Sequence, residues 1–256
     1  MSVQLEIEGP IATVTLNRPE QRNAVDVSVC DAMREVFDAI EADPAVRVTV
    51  LQGAEGMFSA GMDLKAFAAG DGNKILFGTH GFAGFVKRRR TKPVIAAING
   101  AAAGVGLVLA CYADIRFAVP GAKLTTAHGP LNLPAEYGLS WLLPRLIGGA
   151  RAMELLISSR KFLTDEAHAM GLVHRLVAPD QLVMEARAYA RDLITRVSPE
   201  SAYQSKRQTY LDFHRDVGTS VREANDLMDA MVKKPDYKEA IAAFLEKRMA
   251  RWGEKK

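Results

Sequence analysis

The spacing of apolar and polar residues changes period several times along this chain, and each change marks an element. Residues 3–8 and 11–16 alternate or run apolar around Gly9-Pro10, which predicts a β-hairpin. Val29, Met33, Val36 and Ile40 then fall on one face of a helix that should end near Asp43-Pro44. The β-branched run from Val46 to Leu51 predicts a strand. Gly53 to Ala69 mixes glycine with small residues before gaining helical character, and residues 70–80 look like a loop. A basic helix is expected before Pro93, and Val94 to Ile98 is a wholly apolar strand of the kind buried on both faces. Gly104 opens a helix to about Tyr112, and Asp114 to Val119 returns to strand. Helices are predicted over Leu139–Leu146, Arg151–Ser158 and Asp165–Met170, then a strand over Leu172–Val177. From Gln181 onward the pattern is helical, and Ser198-Pro199-Glu200 supplies a capping serine with proline at the first helical position. Strands alternating with helices, then helices alone, argue an α/β core followed by a helical region.

Composition narrows this picture. Of 256 residues, 48% are hydrophobic and 25% charged, ordinary for a soluble globular chain with a sizeable core. No stretch approaches the roughly 20 apolar residues of a membrane span, and the start of the chain lacks a basic, then apolar leader. Cys30 and Cys111 make no disulfide framework, so a reducing cytosol is the expected compartment. The net charge of +3 is too small to argue for nucleic acid. Basic residues do gather at Lys87-Arg88-Arg89-Arg90 and Lys92, either a solvated helix end or a phosphate-facing patch. The scattered histidines have no metal-ligand spacing, so no metal site is expected.

Two glycine loops carry the candidate chemistry: Phe58-Ser59-Ala60-Gly61-Met62-Asp63-Leu64 and Asn99-Gly100-Ala101-Ala102-Ala103-Gly104-Val105-Gly106-Leu107. Each follows an apolar strand and precedes a helical segment. Unpaired N–H groups at two such turns, aimed at one point, would make an oxyanion hole. Gly104-x-Gly106 also matches the opening of a dinucleotide fingerprint. However, residue 109 is leucine, and Asp114 and Glu136 fall too early and too late for the ribose-binding acid. Plain packing turns remain the alternative.

The first loop resembles the Phe-x-Ala-Gly-x-Asp-Leu pattern of the enoyl-CoA hydratase/isomerase (crotonase) superfamily, and Pro93–Gly100 with Gly104-x-Gly106 resembles its second motif. Leu16-Asn17-Arg18-Pro19 with Asn23-Ala24, Ala113-Asp114-Ile115-Arg116, Ser140–Gly148, Gly171-Leu172-Val173 and Phe244–Arg248 are also similar, in the family's order from about residue 5 to 250. The resemblance implies a crotonase-like (ClpP/crotonase) α/β fold. Its spiral of repeated ββα units would occupy residues 1–195, with a C-terminal helical trimerisation region at 196–256. It implies a homotrimer or hexamer (dimer of trimers). The substrate would be an acyl-CoA, with coenzyme A as part of it and no prosthetic group. By the match, the oxyanion donors are the backbone N–H groups of Met62 and Val105. Ala60, Met62 and Lys65 would line the adenine end of coenzyme A, and Arg18 and Ala24 would flank the nucleotide and pantetheine. Phe244 and Lys247 would reach it from the last helix, in some members from a neighbouring subunit. Asp63 would serve the local turn. Residues 66–85, with Phe67, Phe77, Phe82 and Phe85, would shape the acyl pocket.

The pattern also breaks. Val108 and His128 stand where typical hydratases of the family carry their two glutamates. Glu136, in Pro134-Ala135-Glu136-Tyr137, remains as a candidate acid/base, its carboxyl open to desolvation by these neighbours. An isomerase needs one such group to move a proton between carbons. His128 is a second candidate, because histidine exchanges protons near neutral pH, although a turn residue beside Gly129-Pro130 is an equal fit. Tyr137 could orient substrate. The expected function is double-bond isomerisation or hydration of an enoyl-CoA. The alternatives are a catalytically silent CoA-thioester-binding paralogue and an RNA-binding or structural role resting on the basic cluster alone, which would show binding that falls steeply with salt.

Overall fold

The computed structural model describes residues 1–71 and 91–253. The basic cluster at 87–90, Phe77, Phe82 and Phe85 lie outside those residues. Gly9 takes a left-handed φ of +56°, closing the hairpin of β1 (Val3–Glu8) and β2 (Ile11–Leu16), which pair antiparallel with Val3 opposite Leu16. Helix α1 (Val27–Ala42) buries Val29, Cys30, Met33, Phe37 and Ile40 against the sheet, and Asp26 caps it by accepting from the Val29 N–H. β3 (Val48–Gly53), β4 (Val94–Ile98), β6 (Ile115–Ala118) and β9 (Arg175–Leu176) then join in parallel, giving the order β1-β2-β3-β4-β6-β9.

β4 is buried along its whole length, and its side chains divide between two cores. Val94, Ala96 and Ile98 face the cluster holding α1. Ile95 and Ala97 face the opposite cluster, where Leu182, Ala186 and Ala190 of α7 (Leu182–Arg196) pack. A short apolar run buried on both faces is what a central parallel strand requires. The alanines of α7 let that helix lie close to the sheet.

A second sheet, β5-β7-β8, consists of β5 (Ala102–Ala103), β7 (Lys123–Thr125) and β8 (Phe162–Leu163). The chain therefore winds in turns. β4 leads to β5 and then α3 (Val105–Tyr112). β6 leads to β7 and then α4 (Leu139–Ile147). The earlier turn runs from β3 through an isolated parallel bridge, Ser59 to Ala102, into the short α2 (Leu64–Ala66). This is the spiral of ββα units expected from the sequence. Strands of two or three residues carry no period of their own, so the pattern of apolar residues did not predict the second sheet.

One predicted strand is much shorter than expected. Only Arg175 and Leu176 of the run 172–177 pair, with Phe117 and Ala118. Gly171 is left-handed at φ +84°, and the N–H groups of Leu172 and Val173 both donate to the Ala167 carbonyl at the end of α6 (Thr164–Ala169). The apolar pair caps a helix and plugs the core instead of extending the sheet.

Helix α5 (Gly149–Ser158) follows α4, and α7 is followed by α8 (Pro199–Asp212), α9 (Val217–Met231) and α10 (Pro235–Leu245). Ser198 caps α8 by accepting from the Ser201 N–H, as its sequence predicts. Neither α8 nor α9 has a fully buried residue, and Val217, Phe244 and Leu245 stand 79%, 81% and 73% exposed. Among the described residues no helix is long and apolar enough to cross a membrane.

Asn23 ties the hairpin to the loop after β3. It is 1% exposed and left-handed at φ +54°. Its Oδ1 accepts from the Arg18 N–H at 2.9 Å, and its Nδ2 donates to the carbonyls of Ala54 at 3.0 Å and Met57 at 2.7 Å. Each buried backbone group left unpaired costs about 1–3 kcal/mol, so Asn23→Ala is expected to lower unfolding stability by about 3 kcal/mol or more. Urea titration should show a lower midpoint with an unchanged slope.

Candidate functional site

Ser59 brings the two glycine loops together. Its side chain is fully buried; Oγ donates to the Asn23 carbonyl at 2.8 Å and accepts from the Gly61 N–H at 3.2 Å. Its backbone N–H donates to the Ala101 carbonyl at 3.1 Å, and its carbonyl accepts from the Ala103 N–H at 3.0 Å. The first loop is thus hydrogen-bonded edge to edge with the second. No room is left between them. A Cβ on Gly106 would lie 2.6 Å from the Ser59 carbonyl oxygen, and one on Gly61 would lie 2.5 Å from the Ala103 oxygen.

This packing sets the direction of the Met62 N–H. The Gly61 carbonyl accepts from the Val25 N–H at 2.7 Å, and the Asp63 N–H donates to the Val25 carbonyl at 2.9 Å. With both flanking groups turned toward Val25, the alternation of extended backbone turns the Met62 N–H away from it. On the other loop, Gly104 adopts φ +49° and ψ −122°, and Val105 is the first residue of α3. The Cβ position of Gly61 is 3.5 Å from the Val105 nitrogen. The helix's own ladder begins with the Val108 N–H donating to the Gly104 carbonyl, so it offers Val105 no acceptor. Among the described residues neither the Met62 nor the Val105 N–H donates a hydrogen bond. The donors predicted from sequence therefore lie on two loops locked side by side. The expectation of a helix N-terminus at each loop holds only for Val105, because α2 is a single short turn that leads into a kink at Gly70.

An ion-pair clamp supports the first loop. Arg18 donates to the Ala24 carbonyl at 2.9 Å and pairs with Asp26 at 2.9 Å and Asp63 at 3.1 Å. Asp26 caps α1, and Asp63 caps α2 by accepting from the Lys65 and Ala66 N–H groups. Burial alone would raise the Asp63 carboxyl, but the Ala66 N–H, Arg18 and the Lys65 N–H together hold it below the usual carboxylate range. The guanidinium of Arg18 is thus engaged with the protein's own carboxylates, and the Ala24 carbonyl with Arg18. Ala60 is tied to the Arg22 carbonyl through its N–H at 2.9 Å, and Lys65 is exposed. Phe244 and Lys247, at the end of α10, are also exposed. The segment after them is tied to α7, through Trp252 Nε1 donating to the Thr195 carbonyl at 2.9 Å.

The loop from Thr126 to Gly138 borders the second glycine turn. Gly104 donates through its N–H to the Thr125 carbonyl at 3.1 Å, and its Cβ position is 3.9 Å from the Ala127 Cβ. Three non-glycine residues of this loop are left-handed: Ala127 at φ +58°, Asn132 at +55° and Tyr137 at +50°. Such conformations cost about 1 kcal/mol or more each and cluster where a side chain must be held in place. The Glu136 carboxyl is half-buried and has no hydrogen-bond or ion-pair partner among the described residues; desolvation raises its pKa. Tyr137 packs against the core, its carbonyl held by the Tyr112 hydroxyl at 2.8 Å, and burial also pushes its own hydroxyl up. His128 is 7% exposed, and its Nδ1 is buried with no hydrogen-bond partner among the described residues. Val108 is buried on α3 as part of the hydrophobic cluster that also holds α1.

The spiral fold and the paired loops define a known class of protein. The chain belongs to the enoyl-CoA hydratase/isomerase family, whose sequence model matches residues 6–255. It is 34% identical to a carnitinyl-CoA dehydratase of Salmonella arizonae over 256 residues, 98% of each chain. It is 32% identical to the 1,2-epoxyphenylacetyl-CoA isomerase of Escherichia coli, covering 94% of each. A crystal structure of an enoyl-CoA hydratase from Mycobacterium tuberculosis superposes with a TM-score of 0.92 at 32% identity, over 98% of each chain. One from Bacillus anthracis reaches 0.94 at 27% identity, over 99% of this chain and 100% of the other. The α/β crotonase fold expected from the sequence is the fold observed.

The roles of Ser59 and Val25 in aiming the donors were not legible in sequence. Ser59 lies inside a recognisable motif, but Val25 carries no chemical signal because only its backbone is used. Gly61→Ala would drive a methyl into a backbone oxygen at a left-handed φ of +90°. It is expected to lower stability by about 2 kcal/mol or more, read from the thermal midpoint, and to cut turnover further than the folded fraction explains.

Proposed function

We propose that this chain acts on an acyl-CoA thioester, polarising the thioester carbonyl and holding the resulting enolate oxygen between the N–H groups of Met62 and Val105. The observation that carries this reading is the pair of backbone donors, free of acceptors among the described residues, on two loops fixed by the Ser59 bridge. Donors held rigidly in a dry site lose no reorganisation energy when charge develops, and each contributes about 3–4 kcal/mol to an oxyanion. Family relatives named for carnitinyl-CoA, epoxyphenylacetyl-CoA and short-chain enoyl-CoA support the substrate class.

Glu136 is the acid/base of this proposal. As a carboxylate it removes a proton from the carbon next to the thioester carbonyl. As a carboxylic acid it returns one to that carbon or to the γ carbon of the dienolate, which shifts the double bond. Desolvation favours its protonated form and brings its pKa toward the pH at which both forms are present. A single acid/base suits isomerisation, and the apolar Val108 leaves no carboxylate at that position for activating water. Ala60, Lys65, Arg18 and Ala24 support a coenzyme A binding edge along the first loop. The exposed Phe244 and Lys247 would complete it from a neighbouring subunit of a homotrimer or hexamer. In the same reading residues 196–256 form the trimerisation region, with the apolar side chains exposed on α9 and α10 as its contact surface. Val108 and His128, standing where typical hydratases of the family carry glutamates, would also suit a silent paralogue that binds acyl-CoA without turnover.

The test is a panel of 2-enoyl- and 3-enoyl-CoA thioesters in deuterated water, with products read by mass and NMR. Glu136→Gln is expected to slow double-bond shift and deuterium entry by about 10²- to 10⁴-fold. A carboxyl with a raised folded-state pKa opposes folding once pH rises through its unfolded-state value. The same variant should therefore be at least as heat-stable as the parent at pH 7. Undiminished turnover in Glu136→Gln would remove that residue from the mechanism. Val105→Pro probes the hole separately: proline is tolerated at the first helical position, and it replaces the N–H by a ring Cδ, so that both the donor and the space an oxygen would take beside it are lost. It should lower kcat by about 10²- to 10³-fold. Binding of acyl-CoA with no exchange in the parent protein would favour the silent paralogue.

A further inference from the structure

We propose that Tyr112 is a positioning residue for Glu136: its hydroxyl locks the left-handed turn that follows the carboxyl and ties that turn to the helix whose first residue is the Val105 donor. This rests on the reading of Glu136 as the acid/base and deepens it by naming what holds that group in place.

The turn is the starting point. Tyr137 and Gly138 are left-handed in succession, at φ +50° and +80°. A bulky residue enters that region at a cost, so the surrounding structure must hold it there. Two of the three carbonyls in this segment are held from within. The Glu136 carbonyl accepts from the Leu139 N–H at 2.9 Å, and the Gly138 carbonyl from the Trp141 and Leu142 N–H groups at 3.0 and 2.9 Å. The third, on Tyr137, accepts from the Tyr112 hydroxyl at 2.8 Å, from a residue 25 positions earlier in the chain. The fit is close. A Cβ on Gly138 would lie 3.0 Å from the same hydroxyl oxygen, so a side chain there would press the hydroxyl aside.

The other end of this contact is firmly seated. Tyr112 is the last residue of α3, and every residue from Val105 to Cys111 is buried. Arg116, itself buried, donates to the Ala113 carbonyl just after that helix and to the Leu172 carbonyl at 2.6 Å. The 8 residues of α3 span about 12 Å. The helix is thus a short buried strut, with the Val105 N–H at one end and the hold on the Glu136 turn at the other. Burial raises the Tyr112 and Tyr137 hydroxyls, pushes the Cys111 thiol up to about 11 and pushes the Tyr210 hydroxyl, on α8, up to about 12. Tyr112 therefore keeps the proton it donates at neutral pH. Without that hydroxyl the Tyr137 carbonyl loses this donor, the turn relaxes toward right-handed backbone, and water reaches the Glu136 carboxyl.

The experiment uses the full chain with glutamate labelled by ¹³C at the δ carbon, Glu136→Gln identifying the signal of that residue. In Tyr112→Phe the pH midpoint of this signal is expected to fall toward the ordinary carboxyl range, because the loosened turn admits water and desolvation is what raises it. Deuterium entry at the α carbon of acyl-CoA and 3-enoyl-CoA thioesters should slow by about 10- to 100-fold, with thioester affinity changed by less than about threefold. In a Glu136→Gln background the same substitution should slow residual exchange by less than about twofold, since it acts through that carboxyl. Gly138→Ala presses on the hydroxyl from the other side and should move the midpoint in the same direction; it serves alone if Tyr112→Phe does not fold. An unmoved midpoint, undiminished exchange, or an equal loss in both backgrounds overturns the role of Tyr112 and leaves Glu136 standing as the acid/base. A parent protein that exchanges no deuterium across the panel overturns the acid/base reading and this inference with it, even where the midpoint moves.

Discussion

Everything in the site hangs on the pair of backbone hydrogen bonds between Ser59 and the segment Ala101–Ala103. These bonds join two turns of the spiral that are separated in sequence by β4 and the residues before it. The loops carrying Gly61-Met62 and Gly104-Val105 thereby become adjacent edges of one surface. Glycine at 61 and 106 is required because any side chain there would occupy the space of the opposite backbone. A backbone-to-backbone lock of this kind cannot be adjusted by rotamer changes. It holds the segments carrying the Met62 and Val105 N–H groups rigidly side by side, the arrangement on which the proposed oxyanion hole depends.

Around this lock the polar residues are arranged to keep the first loop from relaxing. Asn23 pairs with three backbone groups, and Arg18 joins the caps of α1 and α2 through Asp26 and Asp63. These groups are half-buried or buried, so each must find an internal partner, and the partners chosen all belong to the elements that frame the loop. The clamp is therefore part of the scaffold, whatever Arg18 also contributes to ligand binding. The loop from Thr126 to Gly138 behaves differently. It carries left-handed Ala127, Asn132 and Tyr137, a half-buried carboxyl, and an imidazole nitrogen with no partner among the described residues. Left-handed backbone and unmet polar groups gathered in this loop, beside the second glycine turn, are what support the proposed acid/base at Glu136.

The C-terminal helices follow another logic. α7 completes the second core through Leu182, Ala186 and Ala190, whereas α8 and α9 bury no residue fully and α10 buries only Ala243. Large apolar side chains left outward on helices that contribute little to the chain's own core suit a surface that another subunit covers.

Much of this was legible in the sequence. The hairpin at Gly9, the apolar strand 94–98, the helix opened by Gly104 and the cap at Ser198 follow from local rules: turn residues, burial on both faces and unpaired helix ends. The glycine motifs identified the family and the loops, because a close backbone approach excludes most side chains and so leaves a mark in residue type. The strand expected at 172–177 shrank to two residues because Leu172 and Val173 answer to the end of α6, a contact no period records. The second sheet was invisible, since strands of two or three residues show no alternation. Tertiary structure alone decided that Met62 N–H turns away from Val25, that Ser59 joins the loops, and that the His128 Nδ1 is buried without a partner among the described residues. These are properties of backbone direction and of what surrounds a side chain. The residue type at a position constrains which chemistry is available there, but only the packing of distant segments decides which atoms meet.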